Sequence, residues 1–155
     1  MRRTGTAPSR RELSFGALAG AVLVVVPPVA QATPDELADT LKQIAKGAAI
    51  TPGRVKLTMP ELAENGNVVS TVIEVQSPMT SADHVKTIHV LAEKNPQVTL
   101  IRFHLGPRAG RAKVAANVRL ADTQRVMALA EMSDGTFWSG EATVIVTLAA
   151  CVDSG

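Results

Sequence analysis

From residue 54 onward the chain alternates apolar and polar positions. Val55, Leu57 and Met59 are interleaved with Arg54, Lys56 and Thr58, and beyond an Asn65-Gly66 turn Val69, Ile73 and Val75 share one face. A period of two is the signature of a strand with one face buried. The pattern continues through 86–94, 100–105, 113–120, 125–132 and 136–148, divided by Asn95-Pro96, Gly106-Pro107, Ala121-Asp122 and Asp134-Gly135, all turn-forming pairs. About seven such strands in roughly a hundred residues predict a mainly β fold, an immunoglobulin-like antiparallel β-sandwich. The cysteine pair that antibody domains place between their sheets is missing, so the expectation concerns architecture alone.

One helical period precedes the strands. Thr33 can cap, Pro34 suits the first helical position, and Glu36 completes a T-x-x-E capping box. Leu37, Leu41, Ile44 and Ala48 then recur at three- and four-residue spacing around a stop at Gly47, which predicts a short amphipathic helix packed on the sandwich.

The first 32 residues belong to neither pattern. Arg2, Arg3, Arg10 and Arg11 form a basic stretch, residues 15–29 are apolar, and Ala30-Gln31-Ala32 is an A-x-A cleavage site, together the layout of a cleavable signal peptide. Pro27-Pro28 breaks the apolar run, leaving it too short for a spanning helix of about 20 residues, so no permanent membrane anchor is expected. Ser9-Arg10-Arg11-Glu12-Leu13 resembles a twin-arginine export signal; an ordinary basic leader would reach the same compartment, the periplasm. Cleavage between Ala32 and Thr33 divides the chain into a signal peptide (1–32), a sandwich domain (33–148) and a short arm (149–155).

Removing the leader changes the charge. It holds four of the 16 basic residues and one of the 14 acidic ones, leaving 12 against 13 and moving the net charge from +2 to −1. The basic pI of about 9.0 is thus largely the leader's, and neither a nucleic-acid partner nor an anionic surface is implied.

Cys151 is the only cysteine. It cannot form a disulfide within its own chain, and in an oxidising compartment an odd cysteine points to an intermolecular partner or a chemical task. A thiolate is strongly nucleophilic, forms S–S bonds reversibly, and can hold sulfur through several oxidation states. A place on a short tail gives it reach that a packed cysteine lacks.

Five short motifs, read in order, carry a family resemblance: Glu64-Asn65-Gly66, Ser77-Pro78-Met79-Thr80, Ala92-Glu93-Lys94-Asn95-Pro96, Ala121-Asp122-Thr123-Gln124 and Ser133-Asp134-Gly135-Thr136-Phe137-Trp138. With a final strand and Cys151 behind them, the chain resembles SoxY, the sulfur-carrier subunit of the periplasmic thiosulfate-oxidising Sox system. The resemblance spans Thr33 to Cys151. It implies an immunoglobulin-like subunit of a SoxYZ-type heterodimer, with Cys151 as the covalent attachment point on a swinging arm of Ala149, Ala150, Val152, Asp153, Ser154 and Gly155. It further implies that a c-type cytochrome enzyme joins thiosulfate to the cysteine as a cysteine S-thiosulfonate. A dimanganese hydrolase then releases sulfate, and a sulfane dehydrogenase is a further partner. On this reading the chain is a carrier and not an enzyme, with no catalytic residue and no cofactor of its own.

The tail departs from the family pattern. SoxY typically carries Gly-Gly-Cys-Gly-Gly, whereas here Ala149-Ala150 precede the cysteine and Val152-Asp153 follow it. A β-branched valine is stiffer than glycine. Asp153 disfavours thiolate formation and repels a dianionic cargo. A diverged noncovalent periplasmic adaptor of the same fold, with reduced or lost carrier chemistry, is therefore the alternative.

The remaining residues read as structure. His84, His89 and His104 lack the close spacing of a metal motif and are expected at the surface or in loops, with His104 and Arg102 on an outward face; no metal site is expected. Met59, Met127 and Met132 read as core filling, Trp138 as a packing anchor, and Arg108 and Arg111 as a solvated basic loop.

Overall fold

The structure is a computed structural model, and the residues it describes are 33–150. The leader expected over 1–32, with cleavage expected between Ala32 and Thr33, lies outside the described residues, as do Cys151, Val152, Asp153, Ser154 and Gly155. One helix, α1 (Pro34–Ala45), precedes nine strands: β1 (Ile50–Pro52), β2 (Val55–Thr58), β3 (Leu62–Ala63), β4 (Val69–Val75), β5 (Val85–Ala92), β6 (Thr99–His104), β7 (Lys113–Val118), β8 (Gln124–Met132) and β9 (Phe137–Val146).

The seven strands expected from periodicity are all present, and they form the mainly β, immunoglobulin-like sandwich. One sheet runs β1-β9-β8-β5-β6 with β3 also pairing β9; the other is β2-β4-β7. Pairing is antiparallel except at β1 and β3, which each lie parallel to β9 at its two ends. These two strands are three and two residues long, too short to show a period. Pro52 sits at the end of β1, on a sheet edge where a missing N–H does no harm.

The main core fills the space between the sheets. Val55, Val69, Ile73 and Val75 from the smaller sheet meet Ile88, Val90, Val126, Ala128, Ala130 and Val144 from the larger. At Gly140 the sheets approach so closely that a Cβ would overlap the Val55 carbonyl. A second, smaller cluster lies on the outer face of the larger sheet, where Leu129 and Phe137 pack with Ala45, Leu41, Ile44 and Ile50. This is why β8 and β5 are buried on nearly every residue and lose the strict alternation of half-buried strands.

The helix has the expected capping box: the Thr33 N–H donates to the Glu36 carboxylate at 3.0 Å, and the Glu36 N–H donates to the Thr33 hydroxyl at 3.4 Å. It ends at Ala45, before Ala48, because Lys46 turns left-handed at φ 51°.

Candidate functional site

β9 leads the chain toward its single cysteine, so the backbone that leaves β9 sets where the thiol starts from. That backbone does not leave the sandwich at Val146. A parallel track formed by 61–66 runs beside it. The Ile145 N–H donates to the Glu61 carbonyl at 2.8 Å, the Thr147 N–H to Ala63 at 3.1 Å, and the Gly66 N–H to Leu148 at 2.8 Å. The Thr147 hydroxyl adds a bond to the Glu64 carbonyl at 3.1 Å. From the other side, the Val146 N–H donates to the Thr123 hydroxyl at 2.9 Å.

Leu120 makes the last tie among the described residues. Its N–H donates to the Gly66 carbonyl at 2.8 Å, and its carbonyl accepts from the Ala150 N–H at 3.1 Å. Ala150 is buried. The tie therefore reaches at least Ala150, two residues into the segment expected to form the arm.

Leu120 is itself held in place by a buried polar pair. Asn95 donates from Nδ2 to the Arg119 carbonyl at 2.8 Å, and its Oδ1 accepts from the Ala121 N–H at 3.0 Å and from Gln124 Nε2 at 2.7 Å. Gln124 Oε1 in turn accepts from the Lys94 N–H at 2.7 Å. Asn95 and Gln124 are buried and use their polar atoms fully, which is what makes such a pair rigid instead of costly. A cleft of about 310 Å³ lined by Asn95, Leu100, Ile101, Asn117 and Arg119 opens beside them.

Three of the five motifs that carried the resemblance thus converge on one end of the sandwich: Glu64-Asn65-Gly66, Asn95 with Lys94, and Ala121-Asp122-Thr123-Gln124. The other two, Ser77 to Thr80 and Ser133 to Trp138, lie at the opposite end. There Ser133 Oγ donates to the Ala82 carbonyl at 3.1 Å and accepts from the His84 N–H at 3.0 Å. Trp138 packs against the main core, donates to the Thr136 hydroxyl at 3.2 Å and lies 5.1 Å under the Arg54 guanidinium, the anchor expected of it. Met132 is fully buried, Met127 is buried and Met59 packs on the core; Met79, not foreseen, is buried as well.

The histidines need one correction. His84 lies near the surface and His104 is exposed, but His89, expected at the surface, is buried at 6% exposure. It lies on the outer face of the larger sheet in register with Leu129, and that face is the one α1 packs on. Its Nδ1 accepts from Arg102 Nε at 3.2 Å, and burial followed by the neighbouring guanidinium pushes its pKa down. Arg102 and His104 are both exposed on the outward face, as expected; Arg102 donates to His89, and His104 meets the Thr87 hydroxyl at 3.4 Å. Among the described residues no three His, Cys, Asp or Glu side chains come together as a metal site.

Sequence reasoning found Asn95, Gly66 and Gln124 as motif members and missed what they do. The Asn65-Gly66 pair was expected as a turn. Asn65 does make one, its Oδ1 accepting from the Asn67 N–H at 2.9 Å, yet Gly66 has no positive φ. Its missing Cβ serves contact, since a Cβ there would overlap the Leu120 carbonyl and lie 2.9 Å from the Ala150 nitrogen.

Comparison with known proteins yields one family. The family model for the sulfur oxidation protein SoxY matches residues 41–151. No curated protein matches the chain. Among solved structures, the sulfur carrier protein SoxY from Chlorobium limicola f thiosulfatophilum superposes with a TM-score of 0.62 at 21% identity, covering 74% of this chain and 98% of its own. A superoxide reductase (neelaredoxin) from Ignicoccus hospitalis gives 0.55 at 18% identity, covering 74% and 94%. A superoxide reductase described as putative, from Thermotoga maritima, gives 0.52 at 20%, covering 66% and 89%. At these identities the superpositions establish the shared fold, which hosts more than one chemistry.

Proposed function

Because the chain belongs to the SoxY family of sulfur oxidation proteins, we propose that it is a periplasmic carrier that holds thiosulfate and sulfane sulfur covalently on Cys151 while partner enzymes of a Sox system act on the cargo. The observation that carries this reading is the position of the cysteine. The family match runs through Cys151, the only cysteine, and the described backbone is tied to the sandwich up to the residue before it.

The chemistry asks little of the carrier beyond a thiol presented clear of the sandwich. Joining thiosulfate to Cys151 forms one S–S bond, releases the thiol proton and sends two electrons to an acceptor, the task of a c-type cytochrome enzyme. Hydrolysis of the S-thiosulfonate then breaks the bond between the sulfane sulfur and the sulfonate sulfur, releasing sulfate and leaving a persulfide on the cysteine. A dimanganese hydrolase fits that step, and a sulfane dehydrogenase fits the oxidation of the remaining sulfur by water to a sulfonate, its six electrons passing to an acceptor, after which the same hydrolysis releases it as sulfate. Reversible S–S chemistry lets one thiol serve each in turn. A SoxZ-like subunit completes the heterodimer. Leu62 and Ile145, register partners beside the arm root, are 53% and 52% exposed and offer apolar surface to a protein neighbour.

The test is the intact mass of the processed protein recovered from cells oxidising thiosulfate, with and without a reducing agent. A reducible thiosulfate or sulfane adduct, absent from Cys151→Ser, is the expected result. A clean thiol under demonstrated flux would overturn the carrier reading. It would favour a noncovalent adaptor, the reading that the stiff Val152 and the anionic Asp153 support.

A further inference from the structure

We propose that Gly66 is the positioning residue of the cysteine arm: by letting the chain pack without a Cβ between Leu120 and Ala150, it fixes the arm's pivot at Ala150, one residue before Cys151. The proposal rests on the carrier reading for its significance but on the geometry of residues 66, 120, 148 and 150 for its substance.

A methyl group at position 66 would overlap the Leu120 carbonyl oxygen, stand 2.9 Å from the Ala150 nitrogen and reach 3.0 Å from Val146 Cγ1. The first two atoms are the acceptor and donor of the last hydrogen bond before the cysteine. Leu120 cannot yield, because Asn95 holds the peptide groups on both its sides and Gln124 holds Asn95. The side left to give way is the backbone at Ala150.

The consequence is reach. With Ala150 tied, no free residue separates the pivot from Cys151. If the Ala150 and Leu148 bonds open, the pivot retreats to Thr147, still held by Ala63 and Glu64. Three residues, worth roughly 10 Å of extended chain, are then added to the arm. Gly66 thus determines whether a partner must bring its catalytic centre to the end of the sandwich or draws the arm out at the expense of two hydrogen bonds.

The experiment uses the whole processed protein and reads the alkylation rate of Cys151 with amide exchange at Gly66 and Ala150. Gly66→Ala is expected to raise both by roughly 2- to 10-fold, the equivalent of one net hydrogen bond. Ala150→Pro removes the donor itself and leaves the cradle intact; it is expected to raise Cys151 alkylation and Gly66 exchange by a similar factor, with a thermal midpoint lowered by no more than the loss of one hydrogen bond, and it decides the matter if Gly66→Ala fails to fold. Wild-type alkylation and Gly66 exchange in Ala150→Pro would overturn the proposal. Alkylation needs no sulfur cargo, so a failed carrier test leaves this result readable, and the reverse also holds.

Discussion

An imidazole buried beside a guanidinium is biased toward its neutral form, and His89 is in that position. Its Nδ1 accepts from Arg102 Nε, so the proton of the neutral ring sits on Nε2, which is buried without a partner among the described residues. Burial is the larger cause of its lowered pKa and Arg102 the next; Glu131 opposes them and His104 adds weakly. The unfolded chain therefore binds more protons than the folded one as pH falls below the ordinary value of 6.5. Stability contributed by the neutral ring is complete above that value and is lost as pH drops through the folded pKa. The thermal midpoint should fall between about pH 7 and about pH 5, and His89→Gln should flatten that slope; an unchanged slope would remove His89 as its source. Alternation along the strands was enough to place His89 and Arg102 on the face opposite Ile88 and Ile101. Arg102 on that face stays exposed, while His89 is beside Leu129, where the face carries α1, an element far away in sequence.

The helix was the most legible element because its start is written in side chains. Thr33, Pro34 and Glu36 act on atoms within one turn, and the capping box formed as expected. Thr33→Ala should cost about 1 kcal/mol in chemical denaturation, with Thr33→Ser near wild type. Its apolar stripe also found its partner, since Leu41, Ile44 and Ala45 pack with Leu129 and Phe137 on the outer face of the sheet. β1 and β3 were not legible. A strand of two or three residues has no measurable period, and a parallel pairing with β9 is specified by residues about 80 positions away. Yet β3 begins the track that guides the chain toward the cysteine, so an element without a sequence signature shapes the candidate site.

At the scale of the molecule, the end of the sandwich that holds Leu120 and Ala150 is where the two sheets are fastened together. Asn95 follows β5 of the larger sheet, and the Arg119 and Ala121 peptides it bonds follow β7 of the smaller one. Asn95→Ala would take the side-chain partner from the part-buried Arg119 carbonyl and Ala121 N–H and leave the buried Gln124 amide only the Asp122 carbonyl, and should lower unfolding stability by about 1–3 kcal/mol; a loss below about 0.5 kcal/mol, within the usual range for surface substitutions, would mean that water replaces it. The sequence by itself determined the leader pattern, the alternation that makes a sandwich, the capped helix and the single cysteine, because each of these is local: a period, a cap, a composition or a count. Tertiary structure alone decided that Gly66 is needed for contact instead of for a left-handed turn, that His89 is covered, and that the tie reaches Ala150. The first and last of these rest on backbone N–H and carbonyl groups, which every residue but proline carries alike, so no choice of side chain announces which of them will meet; the second rests on a helix packed on that sheet face from elsewhere in the chain.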